Sequence, residues 1–217
     1  MLTLFDDIPV SQPPINERLI ISLYDYTGNW AEPYVKAGYP VMMLDKKIEG
    51  DILDFELLEE WFDHNEPYVY GVLAAPPCED FAGSGARWWS EKDKEKARLE
   101  ESIHRVEVVL MLVNLFKVYK RECEGNFHFW VMENPVGRIE RLVPEIKPYR
   151  KHSFDPADYG DPYTKKTILW GEFNDKLPKA PVLPVYGSAI HKMSSTHKAQ
   201  RSATPKGFAQ AFFKANK

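Results

Sequence analysis

The chain contains 217 residues, of which 44% are hydrophobic and 28% charged, a composition typical of one globular domain or of one domain with a small appendage. No apolar run approaches the roughly 18 residues that a membrane span requires, and the first residues lack the basic start and apolar stretch of a signal peptide. The chain has only two cysteines, Cys78 and Cys123. These features argue against a membrane or secreted protein, and we expect a reducing, cytoplasmic compartment.

The net charge of -4 is unevenly distributed along the chain. Residues 1–140 carry 14 Lys and Arg against 26 Asp and Glu, a net of -12, whereas residues 141–217 carry 14 against 6, a net of +8. A basic C-terminal third is typical of a surface that contacts phosphates. A surface that is merely uneven in charge gives the same pattern, so both interpretations stay open.

Apolar runs alternate with helical patterns along the chain. Strands are predicted at Leu19–Tyr24, Val41–Asp45, Tyr68–Ala75, Phe127–Met132 and Thr167–Trp170. Helices are predicted at Trp30–Ala37, with Pro33 near its start and Gly38 as its stop, and at Phe55–Phe62, Glu91–Tyr119 and Lys206–Ala215. This alternation predicts an α/β fold with a doubly wound, mostly parallel sheet.

Two of the predicted helices carry further signals. The long one has an apolar face with steps of three and four residues, made of Leu99, Ile103, Val106, Leu110 and Val113. The last helix is preceded by Thr204, a favourable N-cap, with Pro205 at the expected first helical position.

Four residues with useful chemistry lie at the carboxyl ends of the predicted strands: Tyr24, Asp45, Cys78 and Glu133. Ligands of parallel sheets collect at this edge. Cys78 lies between two prolines and a glycine-rich turn, where a shaped, exposed loop can stabilise a thiolate. An isolated cysteine is equally compatible with an inert apolar role, and no histidine near it in the sequence supports a Cys–His pairing.

The acids near the strand ends have two possible roles each. Glu133, before Asn134-Pro135, either forms a turn or is a positioned acid. Asp45 either ends its strand or holds both hydroxyls of a ribose, as acids at such positions do in nucleotide-binding α/β folds. Asp51 is open to the same two interpretations.

Taken in order, these segments resemble the DNA cytosine-5 methyltransferase family. The most specific match is Pro77-Cys78-x-x-Phe81-Ala82-x-x-Gly85, which follows the family's Pro-Cys-x-x-Phe-Ser-x-x-Gly. The other matches are Gly50-Asp51-Ile52 at the family's spacing, Glu133-Asn134-Pro135 beside Glu-Asn-Val, the segment 159–167 beside Gly-x-Pro-Gln-x-Arg-x-Arg, and Arg201–Thr204 with the last helix. The resemblance covers about residues 19–170 and 200–216.

The resemblance implies a methyltransferase fold, S-adenosylmethionine as cofactor and DNA as substrate. It assigns Cys78 as the nucleophile that adds to C6 of a flipped cytosine. It assigns Glu133 to the N3 and N4 edge of that base. Lys165 falls at the family's first catalytic arginine and would hold the base or its phosphate.

The same resemblance implies a set of cofactor contacts. These are Tyr24 near the adenosine with Gly28, Asn29 and Trp30 behind it, Asp45 at the ribose, Asp51 and Ile52 at the adenine edge, Pro76 beside the cofactor, and Ser202 with Thr204 near the methionine end. Tyr24 and Trp30 are also compatible with plain core packing. No metal site is expected, and His191 and His197 are interpreted as solvated or phosphate-contacting.

The sequence departs from the family at two sites. Tyr26 stands at the first glycine of the cofactor loop, where glycine permits close backbone approach to a ligand. An altered loop path or a different cofactor pose is therefore required. In the later motif, Tyr163 replaces Gln, Lys165 keeps a charge without the bidentate fork of arginine, and Thr167 has no charge.

A further departure is the missing target-recognition domain. We expect residues 1–170 to form the catalytic domain, residues 171–200 a basic Pro- and Lys-rich loop, and residues 201–217 a C-terminal segment whose helix returns to that domain. Base readout needs an element that reaches a groove. Without one, we expect low sequence specificity, a very short recognition site, or a partner protein that supplies specificity.

Two other functions remain open. The enzyme could modify single-stranded nucleic acid or a free cytosine nucleotide, or the chain could be a non-catalytic, DNA-binding or regulatory relative of the family. The small size fits a phage or prophage setting, in a bacterial or phage-infected cytoplasm. The pair Trp88-Trp89 would either stack on bases or cap the cofactor, or else pack in the core or a lid.

Overall fold

A computed structural model describes residues 12–48, 50–54, 65–188 and 202–217. The strands are β1 (Leu19–Leu23), β2 (Val41–Leu44), β3 (Val69–Ala74), β4 (Phe129–Pro135), β5 (Arg150–Phe154) and β6 (Thr167–Glu172). The helices are α1 (Glu32–Lys36), α2 (Trp89–Lys92), α3 (Lys96–Cys123), α4 (Ile139–Leu142) and α5 (Lys206–Ala215). Short 3-10 segments lie at Ile15–Glu17, Glu66–Tyr68, Gly83–Trp88, Pro144–Tyr149 and Pro156–Tyr159.

The strands form one six-stranded sheet in the order β2-β1-β3-β4-β6-β5. Neighbours among β1, β2, β3 and β4 are parallel, whereas β6 runs antiparallel to both β4 and β5. The chain goes from β1 outward to β2 and then returns to the other side of β1 as β3. The predicted α/β class with a doubly wound, mostly parallel sheet is confirmed, and the strand order reverses between β1 and β3, where ligands bind in such folds.

Neighbouring residues of the central strands point to opposite faces of the sheet. Both faces are buried, each against its own layer of helices. Val72 and Met132 belong to a core on the side of α3, and Leu73 and Val131 belong to a second core on the side of α1 and α5. The second core is rich in aromatic side chains, among them Trp30, Tyr34, Phe154, Phe208 and Phe212. These two layers hold the sheet that carries the site.

The five predicted strands are present, and β5 was missed. Its sequence, Arg150-Lys151-His152-Ser153-Phe154, is mostly polar, and it occupies the edge of the sheet, where Phe154 alone is buried. This edge strand lacks the alternation of apolar and polar residues by which a strand is recognised in a sequence. The predicted helix at Phe55–Phe62 lies outside the described residues. No helix in the described part of the chain is long and apolar enough to cross a membrane.

The long predicted helix is present with different bounds and a partly different buried face. The helix is interrupted after α2, which ends at Lys92, and α3 then runs from Lys96 to Cys123. Val106 and Val113 are buried as predicted, whereas Leu99, Ile103 and Leu110 are half-buried. The buried face also includes the charged residue Arg105, which an apolar pattern cannot reveal.

The last helix covers the predicted residues, but its predicted cap is wrong. Pro205 is the N-cap residue, and it makes no side-chain cap hydrogen bond. The amide of Gly207 donates instead to Oδ2 of Asp161 at 2.9 Å. A Cβ at Gly207 would lie 1.9 Å from the carbonyl oxygen of Tyr159, so this glycine permits the helix to dock on the main chain. The cap is thus supplied by a segment distant in sequence.

Candidate active site

A cavity of about 230 Å³ opens at the carboxyl ends of β1, β2, β3 and β4. Eight of the thirteen predicted site residues line it: Tyr24, Asp45, Pro76, Cys78, Glu133, Lys165, Ser202 and Thr204. The other five, which do not line it, are Gly28, Asn29, Trp30, Asp51 and Ile52. The fold therefore brings the predicted nucleophile and both of its predicted partners to one place.

Cys78 follows β3 on a tight turn. The amides of Phe81 and Ala82 donate to its carbonyl oxygen at 3.1 and 2.8 Å, and its side chain is half-buried. Burial raises the pKa of the Cys78 thiol, Lys165 lowers it, and the negative charge of Glu133 raises it. Formation of the thiolate is thus sensitive to the charge state of its two neighbours.

Glu133 lies inside β4 and pairs with Leu169 of β6; the strand continues two residues beyond it, to Pro135, whereas the predicted strand ended at Met132. Its side chain is only 6% exposed, and no described residue offers a hydrogen-bond partner to its Oε2. Burial raises the pKa of Glu133, an effect that Lys165 opposes and Asp25 reinforces. A carboxyl group in this environment can retain a proton and donate it in a hydrogen bond.

Lys165 lines the cavity from the turn before β6. Its amide donates to Oδ1 of Asp155 at 2.9 Å, and its carbonyl oxygen accepts from the hydroxyl of Thr167 at 2.8 Å. These two bonds fix the main chain on both sides of the charged side chain. Thr167, which stands at the family's second arginine, is only 2% exposed and serves the turn rather than the cavity.

Main-chain hydrogen bonds clamp the turn of Cys78 against the residues that follow Glu133. Ala82 pairs with Gly137, and the amide of Gly83 donates to Val136 at 2.8 Å. A Cβ at Gly137 would lie 1.9 Å from the carbonyl oxygen of Phe81, so only glycine permits this approach. Asn134 adds a side-chain bond to the carbonyl of Pro76 at 2.9 Å.

Arg138 and Asp80 support this turn, and sequence reasoning missed both. Arg138 is 4% exposed; its Nε donates to the carbonyl of Asp80 at 2.7 Å, and its Nη1 lies 2.7 Å from Asp93. The carboxylate of Asp80 accepts from Ser102 at 2.8 Å. The only sequence signal for this role was the position of two charged residues near the predicted turns, Asp80 after Cys78 and Arg138 after Glu133. Buried charges need partners of opposite charge or hydrogen bonds, and those partners are visible only in the fold.

On the opposite side of the cavity, the loop after β1 is organised by the buried carboxylate of Asp25. Its Oδ2 accepts from the amides of Trp30 and Ala31 at 3.0 and 3.1 Å and from Ser22 at 3.2 Å, and its Oδ1 accepts from Thr27 at 3.3 Å. Burial raises the pKa of Asp25, and these hydrogen bonds lower it. Sequence reasoning missed this acid, although a lone acid just after a buried strand was a usable signal.

Arg105 of α3 also lines the cavity and binds Asp51. Its guanidinium makes two bonds to the carboxylate of Asp51, at 2.6 and 2.8 Å, and one to Glu101 at 2.6 Å. Hydrogen bonding to Arg105 lowers the pKa of Asp51. The hydroxyl of Tyr24 donates to the carbonyl oxygen of Arg105 at 3.2 Å. The predicted adenine contact of Asp51 is thus shared with an arginine that the sequence did not indicate.

The remaining predicted cofactor residues do not line the cavity and instead pack in the core or shape the loop after β1. Trp30 is fully buried, with its ring 5.7 Å from Phe208 and 5.9 Å from Phe212, which favours the alternative of a core aromatic. Asn29 donates to the carbonyl of Thr204 at 3.1 Å and so joins the loop to the cavity-lining segment before α5. Gly28 has φ +67 in the same loop, and the side chain of Ile52 is 1% exposed.

Trp88 and Trp89 differ from each other. Trp88 is 54% exposed, and the guanidinium of Arg87 lies over its ring. Trp89 is half-buried, with Arg138 4.7 Å from its ring centroid. Trp89 is therefore part of the support of the cysteine turn, which agrees with packing rather than base stacking.

The predicted basic loop is described only to residue 188, so His191 and His197 lie outside the described residues. Residues 174–188 contain no helix or strand. The amide of Val182 donates to Ala157 at 2.9 Å, and the amide of Thr164 donates to Gly187 at 2.8 Å. This segment thus lies along the residues that lead to Lys165. The predicted domain division stays a prediction.

Comparison with solved structures gives matches of low sequence identity. A protein described as a DNA modification methyltransferase encoded within an E. coli prophage is 13% identical, with a TM-score of 0.41, over 76% of this chain and 51% of that one. A methyltransferase of Entamoeba histolytica, EhMeth, is 12% identical, with a TM-score of 0.41, over 74% of this chain and 55% of that one. The chain spans about half the length of each. No protein-family model matches the chain, and no curated protein does.

Proposed function

We propose that this protein is a DNA cytosine-5 methyltransferase that uses S-adenosylmethionine and a covalent adduct of Cys78. The observation that carries the proposal is the meeting of Cys78, Glu133 and Lys165 in one cavity at the carboxyl edge of the sheet. Glu133 adds a buried carboxyl oxygen, Oε2, for which no described residue is a hydrogen-bond partner. Because buried polar atoms are normally hydrogen-bonded, this oxygen is available to bind the polar edge of a base.

The chemistry of the three side chains follows from their environment. A cytosine must leave the base stack to enter such a cavity. The Cys78 thiolate forms a bond to C6, and the electron pair of the C5–C6 double bond becomes available at C5 for a new bond to carbon. Protonated Glu133 donates to N3 and accepts from the N4 amino group, which stabilises the charge that develops on the ring. A base or water then takes the C5 proton, and the electron pair of the C5–H bond restores the C5–C6 double bond as the bond from C6 to the Cys78 sulfur breaks and the thiolate leaves.

Lys165 influences the protonation of both the Cys78 thiol and the Glu133 carboxyl group. Its positive charge lowers the pKa of Cys78 and of Glu133 alike. It therefore favours the thiolate, while the burial of Glu133 keeps that acid able to hold a proton. The same ammonium group is available to hold the base or its phosphate.

The residues on the other side of the cavity fit the cofactor. S-adenosylmethionine, when bound, supplies an electrophilic methyl group. Asp45 lines the cavity at the end of β2, where an acid can hold two ribose hydroxyls. Its Oδ1 accepts from the amide of Lys47 at 2.9 Å, which orients the carboxylate. Ser202 lines the cavity from the segment before α5 and would contact the methionine end.

Single-stranded nucleic acid or a free cytosine nucleotide is the second candidate substrate. The observation that favours it is the lack of helix or strand in residues 174–188, the described part of the region where a base-reading element would stand. On duplex DNA the same feature implies low specificity or a partner protein that supplies it.

Transfer of tritium from labelled S-adenosylmethionine tests the proposal. Duplex DNA, single-stranded DNA and dCMP are incubated separately with wild type, Cys78→Ala and the control Cys123→Ala, then digested to nucleosides. We expect label in 5-methylcytosine from wild type and from Cys123→Ala, because Cys123 is exposed at the end of α3. Cys78→Ala should give none.

Each outcome decides a part of the proposal. Label retained by Cys78→Ala would exclude the covalent route. Label in single-stranded DNA or dCMP but not in duplex would establish the second substrate. A folded wild type that neither binds S-adenosylmethionine in calorimetry nor transfers label would exclude a methyltransferase and support a non-catalytic role.

A further inference from the structure

Tyr26 occupies the rim of the cavity at the position where the resemblance expects glycine. Its side chain is 44% exposed and lines the cavity together with Asp45 and Lys47. A large aromatic ring at the mouth of a ligand site either blocks the site or covers its ligand. The main chain around the ring and the contacts of the ring distinguish these two possibilities.

The loop accommodates the ring by turning at other residues. Tyr24 has φ +62 and Gly28 has φ +67, whereas Tyr26 has no positive φ. A positive φ at a tyrosine is uncommon and is maintained only where the surroundings impose it. Here the turn is held on both sides: the amide of Tyr24 donates to the carbonyl oxygen of Leu44 at 2.8 Å, and the carboxylate of Asp25, the next residue, accepts from the amides of Trp30 and Ala31. Residue 26 therefore needs no glycine, and its side chain is presented on a fixed loop.

Lys47 holds the ring beside the predicted ribose site. Its Nζ lies 4.7 Å from the centroid of the Tyr26 ring, a cation–π contact. The amide of the same Lys47 donates to Oδ1 of Asp45 at 2.9 Å. The ring, its cation and the acid therefore form one continuous patch along the end of β2.

We propose that Tyr26, held by Lys47, covers the nucleoside half of S-adenosylmethionine and stacks over the sugar that Asp45 holds and over the base attached to that sugar. The proposal rests on the proposed function. Stacking on an aromatic ring replaces the close main-chain approach that glycine provides elsewhere in the family. The departure at residue 26 is then a substitute contact rather than a defect.

Calorimetric dissociation constants for S-adenosylmethionine and for S-adenosylhomocysteine test the proposal without any turnover. Tyr26→Ala should weaken both by about fivefold, because one aromatic stack contributes on the order of 1 kcal/mol. Tyr26→Phe keeps the ring and should stay within about twofold of wild type. Lys47→Ala should weaken both by a smaller factor. The control Lys46→Ala, from a neighbouring lysine that also lines the cavity, should have less effect than Lys47→Ala.

Three results would overturn the proposal. Unchanged affinity in Tyr26→Ala would overturn it alone and leave the proposed function standing. Tighter binding by Tyr26→Gly would show that the ring obstructs the cofactor. A loss confined to S-adenosylmethionine would place the ring at the sulfonium instead of the nucleoside. If folded wild type binds neither compound, the proposed function fails first, and circular dichroism of each variant excludes unfolding as the cause.

Discussion

The two walls of the cavity are held in place by different kinds of hydrogen bond, and we name them the catalytic wall and the cofactor wall after the roles proposed above for their residues. In the catalytic wall, formed by Cys78, Glu133 and Lys165, main-chain hydrogen bonds supply most of the support. The amide of Val136 donates to Lys166 at 3.0 Å and its carbonyl accepts from Gly83 at 2.8 Å, so one residue joins all three segments. Such pairing is insensitive to most side-chain changes.

The cofactor wall, formed by residues 24–31 with Asp45 and Arg105, depends on side chains instead. The carboxylate of Asp25 holds the loop, and the carboxylate of Asp51 holds Arg105. Each of these acids is a single point of support. The difference implies that single substitutions separate cofactor binding from chemistry, and four variants test this from the largest expected effect to the smallest.

Asp25→Ala should have the largest effect, because it breaks the cofactor wall at its centre. Asp25 is 3% exposed, and its removal leaves the buried amides of Trp30 and Ala31 without an acceptor. We expect a loss of about 4 kcal/mol in the free energy of unfolding, measured by urea denaturation, and loss of cofactor binding. Thr27→Ala, which removes the 3.3 Å bond to Asp25 and a 3.4 Å bond that the Thr27 hydroxyl accepts from the amide of Asn29, is the control and should lose less than about 1 kcal/mol. Equal losses in the two variants would contradict a central role for Asp25.

Arg138→Ala should break the catalytic wall and spare the cofactor wall. It removes the bond to the carbonyl of Asp80 and leaves Asp93 without this cation, at about 3 kcal/mol. Methyl transfer should fall at least tenfold, whereas the dissociation constant for S-adenosylmethionine should stay within about twofold. Arg141→Ala is the matched control, because Arg141 also lies over Trp89, at 5.9 Å. A parallel loss of cofactor affinity would show that the two walls are not separable.

Glu133→Gln tests the catalytic wall through the pH dependence of the protein's stability. Burial raises the pKa of Glu133 in the folded protein, above about 4.3 in the unfolded chain. The folded protein then binds the proton more tightly, so this group's contribution to stability is complete below pH 4.3 and is lost as pH rises through the folded pKa. Glutamine has no such loss. We expect Glu133→Gln to match wild type near pH 4.5 and to melt about 3 °C higher at pH 8.

The same variant changes the reactivity of Cys78. The negative charge of Glu133 raises the pKa of the thiol, so Glu133→Gln should shift alkylation of Cys78 by iodoacetamide to lower pH. The Cys123→Ala background removes the exposed second thiol. An alkylation profile that does not move would show that the two groups are not coupled. Loss of methyl transfer in the same variant is expected, because a glutamine amide can donate a hydrogen bond to N3 but cannot transfer its proton as negative charge develops on the ring.

The sequence was sufficient to place Cys78 and Glu133 near the carboxyl ends of apolar strands, and the parallel order of β3 and β4 brings these two residues together. Lys165 was identified from the family resemblance alone, and antiparallel β6 brings it to the same cavity from the turn before that strand. Asp25, Arg105 and Arg138 were missed for one physical reason. Each is a buried charge whose role depends on a partner distant in sequence or on amides that only the folded loop presents.

The smallest expected effect is that of Thr167→Val, which removes one hydroxyl and keeps the shape of the side chain. Thr167 is 2% exposed in β6, between Pro135 and Phe154, so the family's arginine at this position would bury a charge here. Its hydroxyl holds the carbonyl of Lys165 at 2.8 Å. We expect a loss of about 0.5–1 kcal/mol and methyl transfer a few-fold slower, with cofactor affinity unchanged. Thr167→Ser keeps the hydroxyl and should transfer methyl groups at the wild-type rate. If Thr167→Ser is slowed and Thr167→Val is not, the methyl contact in the sheet, rather than the hydrogen bond to Lys165, positions the catalytic wall.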